Sequence, residues 1–115
     1  MANDESVVIL KFRGTGGLVS VPMIVGVLQI QVSVFDAMTL KDKRRVIKSL
    51  KDRIRNKFNV SIAEVDYNDS IRTSLLGVAL VANERRFVDS ALSSVVEFVR
   101  KIPQLSLIDY SIETM

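Results

Sequence analysis

Three observations predict an α+β fold for this chain. Apolar residues alternate with others over four stretches, 24–34, 60–67, 71–82 and 105–114, the pattern of half-buried strands. Apolar residues recur at helical spacing after the first and the third of these stretches. The turn Asn68-Asp69-Ser70 joins the second and third strands too tightly for a parallel crossover, which excludes a doubly wound parallel sheet. The order strand, helix, strand, strand, helix, strand describes two strand-helix-strand halves joined head to tail. It predicts the split βαβ, or ferredoxin-like, sandwich: an antiparallel four-stranded sheet with both helices on one face.

Each element has its own justification. Residues 1–22 read as an N-terminal extension, either flexible or an added strand, and residues 23–115 as the domain. The extension holds a strand-like run, Val7 to Phe12, then Gly14-Thr15-Gly16-Gly17, then Leu18 to Pro22 leading into Met23, which would itself serve as a start. The glycine stretch reads as a linker, because a phosphate loop needs a following Lys-Ser or Lys-Thr and an opening helix. Ile24, Gly26, Leu28, Ile30, Val32 and Val34 share one parity of the first domain strand. Thr39 is a suitable N-cap for the first helix, with Asp42 in its first turn, where a negative charge suits the helix dipole. Leu40, Ile47, Leu50 and Ile54 form the apolar stripe, and the helix runs to about Lys57.

After the second strand and its turn, the third is the most apolar in the chain, and both of its parities look buried. Something therefore covers the face of the sheet turned away from the helices, either a symmetric partner or the N-terminal segment; a homodimer is the favoured arrangement. Asn83 is placed to cap the second helix, whose arc contains Phe87, Val88, Ala91, Leu92, Val95, Phe98, Val99 and Ile102, and Pro103 ends it. Ile108, Tyr110 and Ile112 share a parity of the last strand.

The composition removes several chemistries. The 115 residues include no His and no Cys, so zinc sites of the usual kind, thiol nucleophiles and imidazole bases are all excluded. No cofactor is expected. Asp4 and Glu5 precede a short apolar run that Lys11 interrupts, unlike a signal peptide, and a cytoplasmic protein is expected.

The charge is strongly polarised. Residues 41–57 hold nine basic and two acidic side chains, whereas the rest of the chain holds seven basic and eleven acidic. At about 100° per residue, Lys41, Arg44, Arg45, Lys48, Lys51 and Arg55 fall in an arc of roughly 120° opposite the apolar stripe, with only Asp52 among them. At 1.5 Å per residue this makes a ridge a little over ~20 Å long. Such a face self-repels, since Glu or Asp at i−4 is what would stabilise it internally. A polyanion, structured or ribosomal RNA, is the expected partner, met by phosphate contact along the helix. Stacking on the sheet is not expected, because few aromatic residues, Phe35, Tyr67 and Tyr110 among them, lie outside the helices and the extension, and nothing resembles the RNP1 pattern. The alternative is a protein-interaction or oligomeric scaffold domain meeting an acidic partner through the same face.

Lys43 is the exception, lying within the apolar arc between Leu40 and Ile47. The plain expectation is that it snorkels past the helix start to water; the sharper one is a site lysine paired with a carboxylate, the basis of a small-ligand or enzyme reading. Glu64, Asp66 and Asp69 form the densest acidic cluster, with Glu64 and Asp66 on one strand face, either as exposed side chains or as partners of a nearby cation.

Met23 to Leu28, the segment Leu40-Lys41-Asp42-Lys43-Arg44-Arg45 with its continuation to Arg53, Phe58 to Val65, Gly77-Val78-Ala79, Asn83 to Val88 and Asp109-Tyr110 resemble the YlxP-like family of small bacterial proteins. The resemblance covers about residues 23–113. It implies the ferredoxin-like fold and a family of unknown function whose genes tend to sit near transcription and translation factors, which points towards RNA or ribosome association. It brings no catalytic residues. Where the family often has an acidic or His-containing turn, this chain has Tyr67-Asn68-Asp69.

Overall fold

The computed structural model describes residues 7–11 and 18–115 of the chain. Its elements are β1 (Val7–Lys11), β2 (Leu18–Pro22), β3 (Ile24–Ser33), α1 (Leu40–Lys57), β4 (Ser61–Asp66), β5 (Thr73–Ala82), α2 (Arg85–Arg100) and β6 (Ser106–Thr114). β1 and β2 form a two-stranded antiparallel sheet of their own. The expected glycine linker lies outside the described residues. β3 to β6 form the expected four-stranded sheet, in the order β4-β5-β3-β6 with every pairing antiparallel and β3 and β5 at the centre. The order of strands and helices is that of the ferredoxin-like sandwich.

The core lies between one face of the sheet and the two helices. Ile24, Leu28, Ile30 and Val32 of β3 and Leu76, Val78 and Leu80 of β5 meet Ile47, Leu50 and Ile54 of α1 and Val88, Leu92, Val95 and Val99 of α2. Burial of each such aliphatic side chain is worth about 1.5–3 kcal/mol, which is what holds an amphipathic helix to a sheet. α2 packs closely on β3 at Gly26. A Cβ there would fall inside the van der Waals envelope of Val88 Cγ1 and 2.8 Å from Leu92 Cδ1, so only a residue without a side chain lets the helix sit this close.

The opposite face of the sheet is open in the single chain. The outward parity of β5 is not buried: Leu75 and Ala79 are half-buried and Val81 is 60% exposed. Within one chain the apolar run along β5 thus has one packed face and one partly open one, and no described element lies over the second in substantial contact.

Two bulges explain further differences. On β4 the register shifts between Glu64 and Asp66, so Glu64 pairs with Leu76 and Asp66 with Leu75. The extra residue, Val65, sends Glu64 towards the helices and Asp66 to the opposite face, separating two carboxylates that alternation alone places together. On β6 a shift opposite Gln31 and Val32 leaves Ile108 without a place in the parity of Tyr110 and Ile112, and Ile108 is exposed. The start of α2 also differs. Its N-cap is Glu84, with no side-chain cap bond, not Asn83. Phe87, in the first turn, is exposed instead of joining the apolar arc.

Gly26→Ala is expected to destabilise the domain by about 1–3 kcal/mol through overpacking against α2, read as a lower urea midpoint with an unchanged slope.

Candidate nucleic-acid interface

α1 starts where its sequence provides for it. Thr39 Oγ1 accepts from the Asp42 backbone N–H at 3.1 Å, and Asp42 Oδ2 accepts from the backbone N–H groups of Thr39 and Met38, each at 3.1 Å. This reciprocal box satisfies donors that the first turn cannot pair internally. The same bonds, that from Met38 foremost, hold the Asp42 carboxyl below the ordinary aspartate range, with Arg45 adding a smaller pull in the same direction.

One turn in, Lys43 does not snorkel. It is fully buried, at 0% exposure, and its ammonium lies 2.9 Å from Glu64 Oε2. It also donates to the carbonyls of Tyr67 at 2.7 Å and Thr73 at 3.1 Å, with that of Asn68 at the limit of 3.5 Å. The way out to water is blocked by the β4–β5 connection, which wraps over the side chain and offers its carbonyls in place of solvent. Glu64 Oε2 accepts from Ser74 Oγ at 2.6 Å as well. Desolvating an ammonium and a carboxylate costs several kcal/mol each, and such a pair is tolerable only when hydrogen bonds satisfy both partners. Here they do, and among the described residues no buried side-chain nitrogen or oxygen lacks a partner.

With its three protons committed, the Lys43 ammonium is a fastener between α1 and the β4–β5 connection. It also braces Tyr67, whose φ of 62° is in the left-handed region, a conformation that costs a non-glycine residue about 1 kcal/mol or more. The Tyr67 carbonyl accepts from both Lys43 and the Ser70 backbone N–H.

The remaining cations of α1 face outward. Of the six in the sequence-derived ridge, Lys48 and Arg55 share one carboxylate, Asp52, at 3.0 and 3.5 Å. The Lys48 hydrogen bond is the main reason the Asp52 carboxyl titrates below its usual range. Arg55 also donates to the Ile62 carbonyl of edge strand β4 at 3.0 Å, which makes it the most tethered of the six. Lys41, Arg44, Arg45 and Lys51 have no carboxylate within 4.0 Å among the described residues. Asp42 is occupied by the helix cap, so the helix has no spare anion with which to neutralise them.

Two further cations fell outside the sequence-derived arc. Arg53 and Lys57 each approach the Phe98 ring of α2, 5.3 Å from its centroid, and Phe98 meets Phe58 edge to face. Their signal was present as basic residues on the flank of α1, but their aromatic partner is more than forty residues away in sequence.

Residues 25–112 match the family described as Protein of unknown function (DUF503). The chain belongs to this family. It is also 35% identical, over 81 residues, to "Uncharacterized protein YlxP" of Bacillus subtilis (strain 168), a match that spans 70% of this chain and 88% of that protein. The DUF503 region contains all of α1, Lys43 and Glu64. No described helix is long and apolar enough to cross a membrane.

Lys43→Met is expected to lower stability by about 3–5 kcal/mol, because it strands Glu64 and the loop carbonyls without their donor. Combining it with Glu64→Leu should recover only part of that loss in urea denaturation, since the carbonyls of Tyr67 and Thr73 still lose their bonds from Lys43. Asp42 carries the pH dependence of the cap. Its folded pKa is lowered, so its contribution is present above the unfolded value, about 3.9, and is lost as pH falls through the folded one. Asp42→Ala should therefore show a lower urea midpoint than wild type at pH 7, with the gap closing in acid below about pH 4.

Proposed function

We propose that this DUF503 protein is a non-catalytic cytoplasmic domain that binds structured RNA, ribosomal RNA included, through the exposed side of α1. The observation that carries the reading is the charge imbalance of that side: Lys41, Arg44, Arg45 and Lys51 face solvent or its edge without a carboxylate partner, beside Lys48 and Arg55, which divide one. Helical spacing sets these groups along a line of ~20 Å, long enough to meet several phosphates of a duplex or a folded loop. Phosphates would relieve repulsion that the fold leaves in place, which is why a polyanion suits this face better than a neutral surface does.

The sheet favours a helix-borne mode over an aromatic one. The outward parity of the central strand β3 is Val25, Val27, Gln29, Gln31 and Ser33, without an aromatic ring on which a base could stack. Tyr110 lies on the helix side, where Arg100 approaches its ring at 5.7 Å.

Titrating a structured RNA across salt concentrations tests the proposal. Six phosphate contacts give a log-log slope of about −4 to −5. The double variant Arg44→Glu with Lys48→Glu should abolish retention while leaving the circular dichroism spectrum unchanged. Undiminished RNA binding by that folded variant would overturn the reading, and co-purification of an acidic protein in place of RNA would support the scaffold alternative.

A further inference from the structure

Next to the ridge, α1 turns a different flank towards the loop that follows α2. Val46 and Leu50 of the helix and Ile102 of that loop form the floor of a cleft of about 230 Å3. Leu50 and Ile102 are buried and Val46 half-buried, so the floor is apolar and well supported from below. Arg45, Ser49, Arg53 and Gln104 line its rim, all four exposed. Arg53 is already oriented, because its guanidinium rests against Phe98. Arg45 belongs to this rim and to the cationic ridge alike.

The combination is chemically specific. An apolar slot with guanidinium groups at its mouth, and a hydroxyl and a primary amide beside them, matches a nucleotide of an RNA chain, whose base has apolar faces and a polar edge and whose backbone carries a phosphate on either side. A base stacked inside a duplex offers only its edges, so the slot requires one that has left the stack. We infer that this cleft receives a single unstacked base of the bound RNA, with the flanking phosphates held by Arg45 and Arg53. The inference rests on the RNA reading above and sharpens it: the preferred ligand is a helix interrupted by a bulge or a loop, with the paired region along the ridge and the extruded base in the cleft.

The test uses two RNA hairpins that differ by a single bulged nucleotide, 2-aminopurine, whose emission is quenched by stacking and rises on extrusion. Wild-type protein should bind the bulged hairpin on the order of tenfold more tightly than the unbulged one, the scale of burying one apolar base face against aliphatic side chains, and its binding should raise the emission. Ser49→Leu fills the cleft from an exposed helix position without changing charge, and Arg53→Gln removes one guanidinium. Each should suppress the emission rise and bring the two affinities together while the hairpins are still bound. Equal affinities and flat emission with wild type would overturn the cleft while leaving the ridge standing, as would an emission rise that survives Ser49→Leu. Failure of both hairpins to bind at low salt would overturn the two readings together.

Discussion

The arrangement of this molecule depends on one buried ammonium group. Lys43 occupies a position that the helical repeat assigns to the core, and it is kept there by Glu64 and the carbonyls of the β4–β5 connection. An ion pair of this kind is poor evidence for extra stability, because an apolar pair of similar volume often does as well. Its effect is positional. A lysine with three protons to satisfy accepts only a narrow set of orientations, so the first turn of α1 and the turn at Tyr67 are held in one relation to each other. The bulge at Val65 belongs to the same arrangement, since it lets Glu64 face the helix layer while Asp66 leaves it.

The fastening also shapes the outer surface. Glu64 is committed to Lys43 and Asp42 to the cap of α1, which leaves Asp52 to answer the cations of the solvent side. Carboxylates elsewhere in the chain do not reach Lys41, Arg44, Arg45 or Lys51 among the described residues. The protein thus leaves four cations of one helix face without a carboxylate partner among the described residues, and its small formal charge of +3 hides a strong local field, felt within about 10 Å at moderate salt.

Local rules account for what could be read from the residues alone. Alternation marked the strands, helical spacing marked both helices, and Thr39 with Asp42 announced the start of α1 because all the atoms concerned lie within one turn. The short Asn68 to Ser70 turn fixed the antiparallel pairing of its neighbours. The misses share a different cause. Bulges at Val65 and Ile108 change which face a side chain takes without altering the pattern of residue types, so parity misassigned Asp66 and Ile108. Lys43 stood out as a cation on an apolar stripe, yet the groups that retain it lie twenty or more residues downstream, and only the folded chain brings them together. The cleft beside Arg45 is tertiary in the same sense, assembled from one flank of α1 and a loop beyond α2. Phe87 was placed inside by its helical angle, but it sits in the first turn of α2, where the sheet does not cover it.

The central claim is that the solvent side of α1 is where an external polyanion docks. The most direct measurement is a map of backbone amide chemical shifts as a structured RNA is added to labelled protein. The account predicts changes concentrated in residues 41–55, with the outward face of β3 and β5 unmoved. Shifts centred on that sheet face, with α1 silent, would contradict it.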